Sequence, residues 1–341
     1  MIKRILLGLA LVLLIFFVWQ YDLVMYGIAQ GTGQFKVLYG AKPVEKFLQD
    51  PKFPDSLKQK LLLIQEIRKF AIDSLGINPS DNYTTLYDQQ GKPLLWIVTA
   101  CEPYALQAKE WDFPFIGKVS YKGFFDYEKV KNAENELKKQ GYDTEIDEIA
   151  GWSTLGWFQD PILSSMLKRS EGQLANLIIH ELTHGTLFVK SNLNYNENLA
   201  EFVGNYGALR FLAQKYGKNS KQYFAYSHRK DDQHKVSEHI LRGARKLDSL
   251  YKTFPKDLSQ AKKDTLKFQM IGKIVIKFDT LSLVNEQYKQ RARKRPLPNN
   301  AFFIGYLTYR SQQNIFEKEF TEKFNANFPA YLAYLKEKYG K

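Results

Sequence analysis

The chain of 341 residues contains a single cysteine, Cys101. One thiol cannot form an intramolecular disulfide, so the sequence excludes a disulfide-stabilised scaffold. Cys101 ends an apolar run over residues 94–101, which predicts a buried strand in which the thiol is a small core side chain. It also lies far from the amino terminus, where a lipoprotein would need its acylated cysteine.

The sequence also lacks internal repeats and an obvious linker, which leaves one large domain or two closely packed lobes. With 44% hydrophobic and 15% aromatic residues it can build a packed core, and disorder is excluded. The formal net charge is +13, but Lys and Arg alternate with Asp and Glu along helical patterns such as residues 128–139. This distribution favours a solvated basic surface over a nucleic-acid partner.

An apolar run at residues 5–19 follows two basic residues at the amino terminus. No small-residue cleavage site follows it, which favours an uncleaved signal anchor over a cleaved signal peptide. Trp19, Tyr21 and Tyr26 would form an interfacial aromatic belt. The positive charges before the run predict a single-pass membrane protein whose body lies outside the cytoplasm.

Apolar periodicity predicts the order of helices and strands along the rest of the chain. In the amino-terminal half the predicted helices are 44–48, 56–75 and 127–140, and the predicted strands are 94–101, 117–125 and 144–149. From residue 172 onward the pattern is helical, with predicted helices 174–190, 195–215, 233–253, 259–278 and 300–325. The sequence therefore predicts a mainly helical α+β fold with an anchor over residues 1–25, an α/β lobe over 26–170 and a helical lobe over 171–341.

The predicted helix at residues 174–190 contains the HExxH arrangement His180-Glu181-Leu182-Thr183-His184. On a helix, side chains four residues apart lie one turn above each other, so both imidazoles can reach one ion. Glu181 projects beside that face, where it can take a proton from a water molecule on the ion. The stretch before the motif is apolar on nearly every side, and this cluster would be unfavourable there without a metal.

A catalytic zinc needs a third protein ligand and an open position for water. The next predicted helix offers Glu197 and Glu201, four residues apart and therefore on one face. If Glu197 binds the ion, Glu201 can hydrogen-bond a ligand imidazole, and the reverse assignment stays open. The segment 189–195 is rich in Asn and Ser and lets the two helices run antiparallel. Such a helix pair with His, His and Glu is the zincin scaffold.

These motifs resemble those of a known family. HExxH followed by Asn-Glu-x-x-Ala-x-Phe-Val, here residues 196–203, is similar to the motif of the predicted zinc aminopeptidases found mainly in Gram-negative bacteria. The resemblance continues through residues 26–34, 111–125, 153–167, 298–301 and Tyr309. It implies Glu197 as the third ligand, as in the broader gluzincin peptidases, which usually have a longer separation between HExxH and that Glu.

The chain also departs from this family. Members often carry cysteines around the segment that matches residues 111–118 and a lipoprotein cysteine near the start, and this chain has neither. It also lacks a GxMEN segment, with which well-known zinc aminopeptidases bind the amino terminus of a substrate. Exopeptidase activity is therefore implied by the resemblance alone. A bacterial origin would place the anchor in the inner membrane and the body on the periplasmic side.

Motif and resemblance together predict a zinc metallopeptidase, an aminopeptidase by family, with one Zn²⁺ per chain. It would hydrolyse peptide bonds by zinc-activated water, with Glu181 as the general base. Two other functions remain open: a membrane-tethered binding or scaffold protein with a structural zinc, and a zinc hydrolase of non-peptide amides. The expected partners are a peptide substrate and the membrane, and nucleic acid is not expected to be a partner.

Further residues are candidates for supporting roles. Asp160, which precedes Pro161, is either a partner of a metal ligand or a turn former. By analogy, the strand at 117–125 would hold an extended substrate above the metal helix. A stabiliser of the oxyanion is expected near the metal, with Tyr206 and Tyr309 in first place. The other candidates for that role are Tyr306, His228, His234 and His239.

Overall fold

The computed structural model describes residues 3, 18–113, 117–149 and 158–339. These residues form a mainly helical α+β fold, as the sequence predicts. The strands lie in the amino-terminal half, and from Glu171 onward the described regular elements are helices. The proposed boundaries at residues 25 and 170 stay predictions.

The elements are numbered in chain order. They are α1 (Tyr21–Gly40), β1 (Lys42–Pro43), α2 (Val44–Gln49), α3 (Asp55–Leu75), β2 (Thr85–Tyr87), β3 (Trp96–Cys101), β4 (Trp111–Phe113), β5 (Gly117–Val119), β6 (Tyr121–Phe124), α4 (Tyr127–Lys139), β7 (Asp143–Glu148), β8 (Ile162–Leu163), a 3₁₀ helix (Ser164–Lys168), α5 (Glu171–His184), α6 (Leu193–Tyr216), α7 (Lys221–Lys252), α8 (Gln260–Phe278), α9 (Gln287–Lys294), α10 (Asn300–Arg310), α11 (Gln313–Phe324) and α12 (Phe328–Tyr339).

Within the described ranges, no helix combines the length and the apolar character that a membrane span requires. The prediction of a single-pass inner-membrane protein with a periplasmic body is corrected by this finding. The helix α1 illustrates the physical reason, because Asp22, Gln30 and Lys36 interrupt its apolar residues. The predicted anchor at residues 5–19 lies, apart from its last two positions, outside the described residues.

Tyr26 attaches α1 to a small sheet. Its hydroxyl donates to the carbonyl oxygen of Gly123 at 2.9 Å, and Gln30 Nε2 donates to the same oxygen at 3.0 Å. The Tyr26 ring also lies 5.8 Å from that of Phe113 and 5.6 Å from that of Phe124. Tyr26 is therefore a contact between helix and sheet, and its predicted place in an interfacial aromatic belt is wrong.

The sheet that concerns the site has the order β6-β3-β7. β3 pairs antiparallel with both neighbours, so β6 and β7 run parallel to each other with β3 between them. Together with α4, these strands form a βαβ unit that is split by β3. α4 covers one face of the sheet, where Val130 and Leu137 pack against Val98 and Phe124. The opposite face of the sheet is directed toward α10.

The largest hydrophobic core packs α5 and α6 against α3, α11 and α12. Ile67, Ile179 and Tyr331 are fully buried in it. A second core joins α7, α8 and α10 around Leu247 and Phe303. The helix pair α5 and α6 is thus held from several sides, which provides a rigid support for its side chains.

Three predicted helices of the carboxyl-terminal half differ from the observed ones by more than two residues at an end or in continuity. α5 ends at His184, where Gly185 is the C-cap, and not at residue 190. α7 begins at Lys221, twelve residues before the predicted start at residue 233. The prediction missed residues 221–232 because they are mostly polar and show little apolar periodicity. The predicted helix at 300–325 is divided into α10 and α11 by a turn at residues 311–312.

Candidate metal centre

The HExxH motif occupies the last two turns of α5. The helix begins with a capping box, in which Ser170 Oγ accepts from the backbone N–H of Gln173 and Gln173 Oε1 accepts from that of Ser170. His180 and His184 lie one turn apart near its end, with ring centroids 5.0 Å apart. Both imidazoles therefore project to the same side of α5.

The helix α6 packs antiparallel against α5. The facing pairs are His184 with Glu197, His180 with Glu201, and Asn176 with Asn205. In these pairs the residue number falls along α5 as it rises along α6, so the two helices run antiparallel. The side chain of Asn192 caps the start of α6 by accepting from the backbone N–H of Tyr195 at 3.2 Å. This start places Glu197 opposite the end of the HExxH helix.

Gly204 lets the two helices approach closely. A Cβ at this position would lie 2.9 Å from Asn176 atoms and 3.3 Å from the Cβ of His180. These separations are shorter than a relaxed carbon contact, so any larger side chain would push the helices apart. A glycine inside a strong helical pattern is the signal that could have identified this position from the sequence.

His180, His184 and Glu197 each present a ligand atom, and these three atoms lie within 4.8 Å of one another. The Nε2 of His180 is 3.4 Å and the Nε2 of His184 is 3.7 Å from the same carboxylate oxygen, Oε2 of Glu197. The structure thus brings together the three side chains that the sequence predicts as metal ligands.

The charge states of these groups fit a divalent cation. Burial lowers the pKa of His184 to about 4, so its imidazole is neutral. Its buried Nδ1 has no hydrogen-bond partner among the described residues. Burial also disfavours charge on His180, but the hydrogen bond to Glu197 and the nearby carboxylates outweigh it and raise the pKa to about 9. For Glu197 the two histidines outweigh burial and lower the pKa. A cation can replace the proton that His180 shares with Glu197.

Glu181 lies beside the ligand group and titrates near neutrality. Burial raises its pKa to about 7, to which the carboxylates of Glu197 and Asp160 contribute, while His180 and Arg169 act in the opposite direction. A carboxyl group with a pKa near the working pH can both accept and release a proton.

Asp160 is held in a buried loop close to Glu181. Its backbone N–H donates to Asn82 Oδ1 at 3.0 Å, and its carbonyl oxygen accepts from the backbone N–H of Tyr83 at 2.6 Å. The Asp160 carboxylate raises the pKa of Glu181. Asp160 thus acts on the predicted base electrostatically, and its role as a partner of the site stays a prediction.

The distance from Glu201 Oε2 to His180 Nδ1 is 3.8 Å, which is too long for a direct hydrogen bond. Its Oε1 accepts from Arg310 Nη1 at 2.5 Å and from Asn205 Nδ2 at 2.8 Å. Tyr226 donates to Asn205 Oδ1 at 2.7 Å and extends this network. Although burial alone would raise the pKa of Glu201, Arg310 and the other partners lower it. Glu201 is thus an ionised carboxylate behind His180.

The two leading tyrosine candidates lie in different places. Tyr206 stacks on Phe328 with ring centroids 4.8 Å apart and contacts the edge of Phe320 at 5.0 Å, inside the main core. Burial and then the carboxylate of Glu197 raise the pKa of Tyr309 well above its ordinary value. Tyr309 thus lies within electrostatic range of the ligand group, whereas Tyr206 packs in the main core.

Two of the histidine candidates make contacts within the helical half. His239 Nε2 lies 2.9 Å from the carbonyl oxygen of Ile274, which joins α7 to α8. The His228 ring lies 6.2 Å from that of Phe224, one turn earlier on α7. Both side chains thus have structural contacts.

The segment at 117–125 approaches the pair of helices α5 and α6 at two points. Gly117 adopts φ +82°, and a Cβ there would collide with Ser191 Oγ in the loop between α5 and α6. Burial and the carboxylates of Glu197 and Glu181 raise the pKa of Tyr121, which sequence reasoning missed. The segment is not one strand, because β5 pairs with β4 and β6 pairs with β3. Its role in holding substrate stays a prediction.

Two antiparallel helices that gather two imidazoles and a carboxylate define a candidate metal centre of the HExxH type. The family described as "Putative aminopeptidase" matches residues 25–338, and the chain belongs to this family. No curated protein and no solved structure matches the chain. The predicted resemblance to an aminopeptidase family is confirmed, whereas the gluzincin type and the restriction to Gram-negative bacteria stay predictions.

Proposed function

We propose that the chain is a zinc-dependent peptidase with aminopeptidase activity, in which His180, His184 and Glu197 hold the ion. The observation that carries this proposal is the convergence of two imidazole Nε2 atoms on one carboxylate oxygen, at 3.4 and 3.7 Å. Two imidazoles and one carboxylate are typical of catalytic zinc. Membership in the aminopeptidase family supports a peptide substrate. The helix pair supports a zincin-like architecture of the gluzincin type.

A bound zinc ion would polarise the scissile carbonyl and make a water molecule more acidic. Glu181 removes a proton from the attacking water and transfers it to the nitrogen of the leaving amine as the C–N bond breaks. A carboxylate beside the ligand group can accept the proton of the water and then donate it to the leaving amine. The water attacks directly, so the chain itself forms no covalent intermediate.

Tyr309 is the side chain we assign to the developing oxyanion. Burial and the carboxylate of Glu197 raise its pKa, so its hydroxyl stays protonated and can donate a hydrogen bond. Tyr206 is a weaker candidate since its ring is stacked on Phe328 in the core.

A purely structural zinc is less well supported. A closed structural site requires four protein ligands, whereas a catalytic site has three and leaves one position open. Within the described ranges the ligand group consists of His180, His184 and Glu197. A three-donor group is therefore the arrangement expected for catalysis.

Elemental analysis combined with a substrate screen tests this proposal. The unmodified chain and Glu181→Gln are both expected to contain one zinc per chain. The unmodified chain should hydrolyse members of a peptide library, and Glu181→Gln should be slower by about 10²–10⁴-fold. Absence of metal after zinc is supplied, or full activity of Glu181→Gln, would contradict the proposal. Cleavage of amide-bearing cell-wall fragments without cleavage of peptides would point to a non-peptide amide hydrolase.

A further inference from the structure

A cleft of about 290 Å³ lies between the β6-β3-β7 sheet and α10. Its sheet wall is the face opposite to α4. On this face Thr99 of β3 pairs with Tyr121 of β6 and with Glu145 of β7. Ile97 and Asp147 form the next pair in the same register. The other wall is one face of α10, so the cleft is built by two rigid elements.

One end of the cleft adjoins the metal centre. Tyr121 and Tyr309 line it, and the carboxylates of Glu197 and Glu181 raise the pKa of both, after burial. Arg310, which pairs with Glu201 behind His180, also lines the cleft. A peptide at the metal centre can therefore extend into this space.

Two acidic and two basic side chains line the cleft, and one of the basic side chains is already paired with a carboxylate outside it. Glu145 and Asp147 line it together with Arg295 and Arg310, and Arg310 is paired with Glu201 at 2.5 Å. Within the described part of the chain, neither acidic side chain forms an ion pair or a hydrogen bond. Arg295 is exposed and only moderates their charge. Burial raises the pKa of Glu145 to about 7, as expected for a carboxyl group short of cations.

A polar group from another helix is also directed to this cleft. Ser237 of α7 lines it and is only 6% exposed. In the described ranges its buried Oγ has no hydrogen-bond partner. Buried hydroxyl groups in folded proteins are normally hydrogen-bonded, so this oxygen is suited to a ligand that enters the cleft.

We propose that the cleft binds a cationic group of the peptide substrate, with Glu145 and Asp147 as its counter-ions. The inference rests on the proposed peptidase function and names the substrate class. Charge-assisted hydrogen bonds from an ammonium or guanidinium group would satisfy the two carboxylates, and Ser237 Oγ can accept another. The tyrosine end of the cleft then directs the peptide bond toward Glu181.

The cation has two chemical sources. It is either the free amino terminus of the peptide or the side chain of a lysine or arginine, since both combine positive charge with several N–H donors. Recognition of the amino terminus would restrict the enzyme to exopeptidase cleavage. The cleft would then do what the GxMEN segment, which this chain lacks, does in well-known zinc aminopeptidases. Recognition of a side chain would make it selective for basic residues.

The experiment uses the full chain with Glu181→Gln, so that bound peptides stay intact, and isothermal titration calorimetry. Four tripeptide amides combine a free or acetylated amino terminus with lysine or norleucine at the first position. We expect cationic peptides to bind at least about tenfold tighter than the acetylated norleucine peptide. Adding Glu145→Gln should abolish this difference, and Asp147→Asn, at an exposed position, should reduce it.

Glu148→Gln is the matched control. Glu148 lies on the same strand, faces away from the cleft and is exposed, so Glu148→Gln makes the same substitution outside the cleft and should preserve the preference. A preference that follows the free amino terminus or the lysine side chain supports the proposal and identifies the source. Equal binding of the four peptides, or equal weakening of all four by Glu145→Gln, overturns it.

Parallel titrations of the metal-free chain separate this inference from the proposed function. A cation preference in a chain that binds no zinc and cleaves no peptide would contradict the peptidase function and leave the cleft assignment standing. Zinc-dependent peptide hydrolysis without any cation preference would contradict the cleft assignment alone.

Discussion

The Nε2 atom of His180 lies 3.4 Å from Oε2 of Glu197, across the contact between α5 and α6. The HExxH motif by itself supplies two candidate ligands from one helix, and this contact adds a third candidate donor from a second helix. Since both helices place polar groups at four-residue spacing, one antiparallel contact aligns all of them. The metal centre therefore depends on the packing of the helix pair as much as on the motif.

Metal binding should be lost when any one of the three ligands is removed. In His184→Ala and Glu197→Gln we expect zinc affinity to fall by more than about 100-fold. Removing a residue that only hydrogen-bonds a metal ligand already lowers affinity by up to about 100-fold, and removing the ligand itself should have a larger effect. His228→Ala is the control, because His228 is a histidine of α7 whose ring lies near Phe224 and which is not part of the ligand group. Zinc content after dialysis measures the effect, and full zinc retention in Glu197→Gln would exclude Glu197 as a ligand.

The candidate metal ligands could be predicted from the sequence because they follow local rules. Residues four apart share a helix face, so the spacing alone assigns His180 with His184 and Glu197 with Glu201. The predicted helix bounds were wrong in two places. The start of α7 was missed because residues 221–232 show weak apolar periodicity. The break between α10 and α11 was missed because the short turn at 311–312 does not interrupt the apolar pattern.

The surroundings of the site were not predictable for a physical reason. Arg310 pairs with Glu201 across 109 positions of sequence, and the cleft joins Glu145 to α10. Such contacts are made by the packing of distant elements, which leaves no periodic pattern in a single chain. Tyr309 was a candidate by residue type, and only the fold distinguishes it from Tyr206.

Close packing of the two helices at Gly204 should be essential for the centre. Gly204→Ala places a Cβ 2.9 Å from Asn176 and 3.3 Å from His180 Cβ, so the helices must separate. We expect the free energy of unfolding to fall by about 1–3 kcal/mol, the usual effect of overpacking. Zinc affinity should fall with it, because the donors on the two helices move apart.

Gly272→Ala is the matched control for Gly204→Ala. Gly272 lies inside α8, where a Cβ would meet no atom within 4 Å. Alanine is a better helix former than glycine, so this variant should gain up to about 1 kcal/mol of stability and keep its zinc affinity. Urea denaturation and zinc titration measure both variants. An equal response of the two would mean that Gly204 does not control the helix contact.

A hydrogen bond from Tyr309 to the oxyanion should be visible in kinetics. Tyr309→Phe removes only the hydroxyl, and we expect kcat to fall by about 10²–10³-fold with unchanged zinc content. Tyr206→Phe removes the same group in the aromatic core and should leave kcat within a factor of about two. Steady-state kinetics on one peptide compares them. A larger loss in Tyr206→Phe would reverse the assignment.

The two walls of the cleft are tied together by Asp143 at the start of β7. Its Oδ2 accepts from Lys267 Nζ at 2.6 Å and from the backbone N–H of Asn300, at the start of α10, at 2.8 Å. Lys267 is only 1% exposed, so Asp143→Asn leaves a buried ammonium without its counter-ion. We expect the free energy of unfolding to fall by about 3–5 kcal/mol.

Asp248→Asn provides the comparison for Asp143→Asn, since Asp248 pairs with Lys252 one turn away on the exposed face of α7. Screening by water makes such a pair worth less than about 0.5 kcal/mol, so this variant should unfold at nearly the same urea concentration as the unmodified chain. Because Asp143 belongs to β7 and accepts a hydrogen bond from α10, the Asp143→Asn change should also weaken the binding of cationic peptides under conditions where the variant is still folded. Equal stability of the two variants would show that the Lys267 ammonium finds another partner or water, and that the cleft does not depend on this ion pair.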